Sequence, residues 1–162
     1  MHIWTIEKWR RYIDGDSLKG WGIYIRCEKC IDDEVKRSCK EFISWIRKEY
    51  VFPIRVRIYL KAAERIKALD GDWAVGTFFE PYKYDGSIEP YIRIATGDYA
   101  DMEAKWGKDD ALARILATIA HELTHYFQWI NNLELTPMGR ERQANQYAGF
   151  ILAEYAHTRT HP

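Results

Sequence analysis

Two histidines and a glutamate in this chain stand at a spacing that suits a metal site. His121 and His125 are four residues apart in the stretch HELTH, and Glu122 follows the first histidine. Residues four apart on an α-helix lie about 40° apart around its axis and one turn along it, so both imidazoles can reach one ion. Zinc in a catalytic site takes three protein ligands and keeps one position for water. Glu122 is then placed to accept a proton from that water.

The residues around this motif predict a long amphipathic helix that begins after Gly107, with Asp109 or Asp110 as its N-cap. One face of this helix is a continuous apolar stripe: Leu112, Ile115, Leu116, Ile119, Leu123, Phe127 and Ile130. The opposite face carries the polar residues Thr118, His121, Glu122 and His125. This separation predicts a helix that packs on one side and holds a site on the other. The alternative is an ordinary pair of surface histidines.

The third metal ligand has to come from outside the motif. Thr136 and Pro137 form an N-cap and first-turn signature, which predicts a last helix over residues 137–157. Glu141 lies in its first turns, where a glutamate is also favoured simply by the helix dipole. Asn145 follows one turn later, where it could bind the second nitrogen of a ligating imidazole. The competing ligands are Glu134, Glu154 and His157.

The stretches HELTH and ERQANQYA together resemble the gluzincin zinc metallopeptidases, and among them small bacterial proteins of the IrrE/ImmA type. The resemblance covers residues 118–150. It implies that the zinc ligands are His121, His125 and Glu141, and that Glu122 is the general base. Metzincins are excluded, because they require Gly and His at the positions of Gln128 and Asn131.

Two positions depart from the gluzincin pattern. Asn145 stands where thermolysin-like enzymes have an aspartate in the second shell of the metal, and Tyr147 replaces the usual phenylalanine. The interval between the two motifs is also short. The resemblance further implies an edge strand that pairs with extended substrate, for which EPYIRIATG is the candidate, although an ordinary core strand fits it equally. The candidates for stabilising the oxyanion are Tyr126, Tyr147, Tyr155 and His157.

The order of the predicted elements indicates an α+β fold. Strands are expected at 21–27, 53–60, 73–81 and 90–97, with a turn-rich segment at 82–89. Helices are expected from Asp32 or Asp33 to before Pro53, and over the short segment 61–69. We expect one domain over 1–162, with an α/β part at 1–107 and a two-helix part at 108–162. The resemblance implies a zincin-like arrangement, in which a small twisted mixed sheet packs on the active-site helix and a glutamate helix follows.

The charge and cysteine content limit the possible partners. Lys plus Arg equals Asp plus Glu, 24 against 24, so neither nucleic acid nor a membrane is an expected partner. No secretory signal or membrane-spanning segment is recognised, which predicts a cytoplasmic protein. Cys27, Cys30 and Cys39 are expected to be free thiols. A cysteine zinc site completed by His2 is the alternative.

These observations predict a zinc-dependent metallopeptidase that hydrolyses a peptide or protein substrate through zinc-activated water, with Glu122 as base. One alternative is a non-catalytic, zinc-bearing or regulatory binding protein on the same scaffold. Another is a structural zinc whose fourth position is closed by Cys or His157.

Overall fold

The computed structural model describes residues 2–13, 22–84 and 87–162, and shows a mixed α+β fold with one four-stranded sheet. Within these residues the helices are α1 (Asp33–Glu49), α2 (Tyr99–Trp106), α3 (Lys108–Ile130) and α4 (Pro137–Ala156), with a short 3-10 helix at Lys8–Arg11. The strands are β1 (Ile23–Cys27), β2 (Val56–Lys61), β3 (Ile66–Lys67), β4 (Trp73–Ala74), β5 (Gly76–Phe79) and β6 (Tyr91–Ala95).

The four-stranded sheet has the order β1-β2-β6-β5. The first three strands are parallel, with Ile58 paired to Ile25 on one side and to Ile92 on the other. β5 is antiparallel to β6 and forms one edge of the sheet, and β1 forms the other. Alternate residues of β2 are buried, as expected for a sheet with one covered face. That face packs against α1 and α3, so the sheet supports the helix that carries the histidines.

Local sequence signals account for several helix boundaries. The side chain of Asp32 accepts a hydrogen bond of 2.8 Å from the amide of Glu34 and caps α1. Thr136 caps α4 in the same way, through a 3.1 Å bond from the amide of Gly139. The apolar stripe predicted on α3 is buried along its whole length. α3 begins directly after Gly107, as predicted, but the predicted N-cap is wrong, because Gly107 occupies that position and Asp109 and Asp110 lie inside the first turn.

The segment 61–69 does not form the predicted helix. It contains the end of β2 and then β3, which pairs with β4 across a turn at Gly71 with a φ of +92°. The backbone oxygens of Lys61 and Ala63 accept hydrogen bonds from the amides of Thr96 and Gly97, so they are not free for a helix. Pairing with a distant segment therefore overrides the local helix propensity.

Two further differences concern one strand and one helix. The predicted strand 73–81 is split at Val75 into β4 and β5, and α2 was not predicted at all. Of the predicted strand 21–27, Trp21 lies outside the described residues, as do residues 85 and 86 of the turn-rich segment 82–89.

No helix in the described part of the chain has the length and apolar character needed to cross a membrane.

The N-terminal segment packs against the helices that carry the candidate site. The Trp4 indole nitrogen donates a 3.0 Å hydrogen bond to the hydroxyl of Thr124, and its ring stacks on Phe127. The amide of Ile3 donates to the hydroxyl of Tyr147 at 3.0 Å. Residues of α3 and α4 are thus joined by the same short segment.

Candidate metal centre

Three side chains from two helices meet at one point. His121 and His125 project from successive turns of α3, and their Nε2 atoms lie 3.2 Å apart. The Glu141 carboxylate, from the first turns of α4, places Oε2 3.2 Å from Nε2 of His121 and Oε1 3.2 Å from Nε2 of His125. Among the described residues, this is the one group of three or more His, Cys, Asp or Glu side chains arranged so that they could hold a metal ion.

The spacing of these atoms fits a zinc ion. With zinc–nitrogen and zinc–oxygen bonds of about 2.0–2.1 Å, tetrahedral ligands are separated by about 3.3 Å. The three contacts of 3.2 Å are close to that value. Two imidazoles and one carboxylate are also a donor set that zinc accepts in catalytic sites, where a fourth position remains for water. The residues present therefore fit the ion.

Gln128 holds His125 in the tautomer that a metal ligand needs. The Gln128 amide nitrogen lies 3.0 Å from the backbone oxygen of Arg140 and 2.9 Å from Oε1 of Gln143. A backbone carbonyl only accepts hydrogen bonds, so this end of the amide is the NH₂ group, and Oε1 faces Nδ1 of His125 at 2.8 Å. These hydrogen bonds place the imidazole hydrogen of His125 on Nδ1, so the lone pair of Nε2 is directed at the cluster.

Burial favours the neutral form of His125. The residue is buried, and this burial lowers the pKa of its imidazole below the usual value. The hydrogen bond to Gln128 opposes this effect, and the neighbouring His121 adds to it. A neutral imidazole is the form that binds a metal ion.

Glu122 is a buried carboxyl beside the candidate ligands. Its side chain is 6% exposed and lines the same cleft as the histidines. Burial, and to a smaller extent the negative charge of Glu141, raise the pKa of its carboxyl to about 8. β5 passes close to it: a Cβ added at Gly76 would lie 2.9 Å from Oε1 of Glu122 and 2.7 Å from Cγ2 of Thr118. Glycine therefore lets the edge strand approach this carboxyl.

The cluster lies in a cleft of about 810 Å³. One wall is formed by β5 and the β3–β4 hairpin, and the other by α3 and α4. The prediction that EPYIRIATG is the edge strand is wrong, because β6 lies between β2 and β5 inside the sheet. The edge strand beside the cleft is β5, whose residues Gly76, Thr77 and Phe78 line it.

The second-shell role predicted for Asn145 does not match the geometry found for His125. Asn145 lies on the wall of the cleft and is exposed, whereas the partner of His125 Nδ1 is Gln128. Gln128 follows His125 by three residues, so it lies on the same helical face, but its role depends on the backbone of α4. The sequence alone gave no sign of that contact.

The candidates for stabilising an oxyanion lie away from the cleft lining. Tyr126 is fully buried and donates a 2.6 Å hydrogen bond to the backbone oxygen of Ile54. Tyr155 is buried against Phe42. Tyr147 binds the N-terminal segment through Ile3, and His157 follows the last residue of α4.

The remaining candidate ligands are also outside the cluster. Glu154 accepts a 2.6 Å hydrogen bond from the hydroxyl of Tyr50, and Glu134 lies in the loop before α4. Cys39 is buried, Cys27 is half-buried and Cys30 is exposed, and all three are free thiols. Neither the cysteines nor His2 belong to a metal-holding group among the described residues.

No family model, no curated protein and no solved structure matches this chain.

Proposed function

We propose that this protein is a zinc-dependent metallopeptidase whose zinc ligands are His121, His125 and Glu141. The observation that carries the proposal is the meeting of their ligand atoms at 3.2 Å, beside a buried glutamate at the wall of a cleft. The small mixed sheet on α3, followed by a helix carrying Glu141, supports a zincin-like fold of gluzincin type. We expect the protein to act in the cytoplasm.

The reaction is hydrolysis of a peptide bond by water. When bound, zinc supplies a Lewis acid that polarises the substrate carbonyl and lowers the pKa of a water molecule. Glu122 accepts a proton from the attacking water and passes it to the leaving amine.

β5 supports the binding of an extended substrate. It is the edge of the sheet and runs along the cleft, so its outer side is available for main-chain hydrogen bonds with a peptide. An added strand would lie next to Glu122, since Gly76 of β5 is in close contact with that side chain. We therefore propose a peptide or an unfolded segment of a protein as the substrate.

Cleavage of a peptide pool tests this function. The zinc-loaded wild type and Glu122→Gln are incubated with a proteolytic digest of denatured proteins, and new termini are identified by mass spectrometry. We expect about one zinc per chain in both proteins and new termini with the wild type alone. Equal product patterns from the two would refute the role of Glu122. Zinc binding without cleavage by either would favour a zinc-bearing regulatory protein.

A further inference from the structure

Arg140 is the one Lys or Arg side chain among the described residues that line the cleft. It directly precedes the ligand Glu141 in the first turns of α4. Its side chain is 29% exposed, and its Nη2 atom lies 2.7 Å from Oε2 of Glu80, just after the end of β5. This ion pair joins the two walls of the cleft and holds a guanidinium between them.

The backbone of Arg140 is fixed relative to the metal centre. Its carbonyl oxygen accepts the hydrogen bond from Gln128, which in turn orients His125. Its amide donates to the backbone oxygen of Thr136 at 2.9 Å. Arg140 therefore lines the cleft from a backbone position next to the candidate ligand Glu141.

The chemistry of peptide hydrolysis leaves a role for such a cation. Negative charge develops on the carbonyl oxygen of the substrate, and fixed hydrogen-bond donors stabilise it. The tyrosines that were candidates for this role lie away from the cleft. A guanidinium has five N–H donors, so the bond to Glu80 leaves others available. Glu80 is itself 44% exposed, so it can remain in place or move away when a substrate binds.

We propose that Arg140 binds a negatively charged oxygen of the peptide substrate in this cleft. The proposal rests on the proposed metallopeptidase function. Two substrate groups supply such an oxygen: the carbonyl of the scissile bond as it is attacked, and a free C-terminal carboxylate. In both cases Arg140 donates hydrogen bonds and forms no covalent bond.

Phosphinic pseudopeptides test the proposal without depending on turnover. Their phosphinate imitates the attacked carbonyl, and each is made with a C-terminal amide and with a free carboxylate. Affinities are measured by calorimetry for the zinc-loaded wild type, Arg140→Lys and Arg140→Met. Arg142→Met is the matched control, because Arg142 is exposed on the same helix and contacts Met138 instead of the cleft.

We expect Arg140→Met to bind zinc like the wild type but to lose about 10²–10³-fold in pseudopeptide affinity. Arg140→Lys should recover part of that loss. Arg142→Met should bind the pseudopeptides with the affinity of the wild type. A loss with both pseudopeptides identifies the attacked carbonyl, and a loss with the free carboxylate alone identifies the C-terminus. Wild-type affinity of Arg140→Met for both would overturn the proposal. So would loss of zinc from this variant, which would show a structural role.

The proposed hydrolysis and the proposed role of Arg140 can fail independently, and different results show which one has failed. If zinc-loaded wild type binds pseudopeptides through Arg140 but cleaves no peptide, the proposed hydrolysis fails and the anion site remains. If the wild type cleaves peptides and Arg140→Met matches it in kcat and KM, the function stands and the role of Arg140 is refuted.

Discussion

Nδ1 of His125 lies 2.8 Å from Oε1 of Gln128, whose amide nitrogen is bound to the backbone of α4 at Arg140. This contact connects the two helices that supply the candidate ligands. It also determines which nitrogen of the imidazole faces the cluster.

Replacing Gln128 should therefore weaken metal binding. Gln128→Leu removes the acceptor for Nδ1–H, and we expect zinc affinity to fall about 10–100-fold. Gln128→Glu keeps an acceptor and should retain more affinity than Gln128→Leu. Competition with a chelating dye measures both values. Gln146→Leu, on the exposed side of α4, is the control, and an affinity of Gln128→Leu equal to that control would contradict the assigned tautomer.

Gly76→Ala should displace Glu122 without removing a metal ligand. The added methyl would meet Oε1 of Glu122 at 2.9 Å and Cγ2 of Thr118 at 2.7 Å, so β5 or the carboxyl must move. We expect wild-type zinc content, loss of peptide cleavage, and a free energy of unfolding lower by about 1–3 kcal/mol. Gly149→Ala, where a Cβ meets nothing within 4 Å, should instead stabilise α4 by about 0.5–1 kcal/mol. Unchanged cleavage by Gly76→Ala would show that this close approach is unimportant.

Trp4 should contribute strongly to stability although it lies near the chain start. It is 2% exposed, stacks on Phe127 and donates to Thr124, the residue before His125. Trp4→Ala should lower the free energy of unfolding by about 3–5 kcal/mol, as measured by urea denaturation. Trp73→Ala is the control, because Trp73 is 67% exposed and its loss should change stability by about 0.5 kcal/mol or less. Similar losses from the two variants would show that the N-terminal segment does not support α3.

The stability of the metal-free protein should depend on Glu122 in a defined pH range. Its carboxyl has a pKa of about 8 in the folded protein, against an ordinary value of 4.5. Between these values the folded protein holds a proton that the unfolded chain releases, so the free energy of unfolding falls as pH rises. The stabilising contribution is complete below the lower value and is lost as pH passes the upper one.

Glu122→Gln isolates this effect because it cannot titrate. Urea denaturation in the presence of a chelator, at a series of pH values, gives the stability of each protein. The stability of the wild type relative to Glu122→Gln should decrease steadily as pH rises from the lower to the upper pKa. A difference that stays constant with pH would show that the carboxyl is not perturbed.

The features that could be predicted from the sequence are those encoded over a few turns of helix. The histidine pair, the apolar stripe of α3 and the Thr136 cap depend on neighbours within one helix, and each of these was found. Glu141 was one of several candidate third ligands, and it is the one that meets both histidines.

The features that could not be predicted depend on contacts between distant segments. β5 is the edge strand only because β6 pairs with β2, which no local pattern reveals. Gln128 and Arg140 acquire their positions from the packing of α4 on α3. α2 has Tyr99 as its one buried residue, so it lacks the apolar period by which the other helices were recognised.

The proposed function depends on a zinc ion that is held by three protein ligands and keeps a fourth position open. Anomalous diffraction at the zinc absorption edge, from crystals grown with zinc, locates the ion directly. We expect one peak about 2.0–2.2 Å from Nε2 of His121, Nε2 of His125 and a carboxylate oxygen of Glu141, with no fourth protein ligand. A fourth ligand from a cysteine or His157, or a peak away from this cluster, would refute the proposed catalytic zinc site.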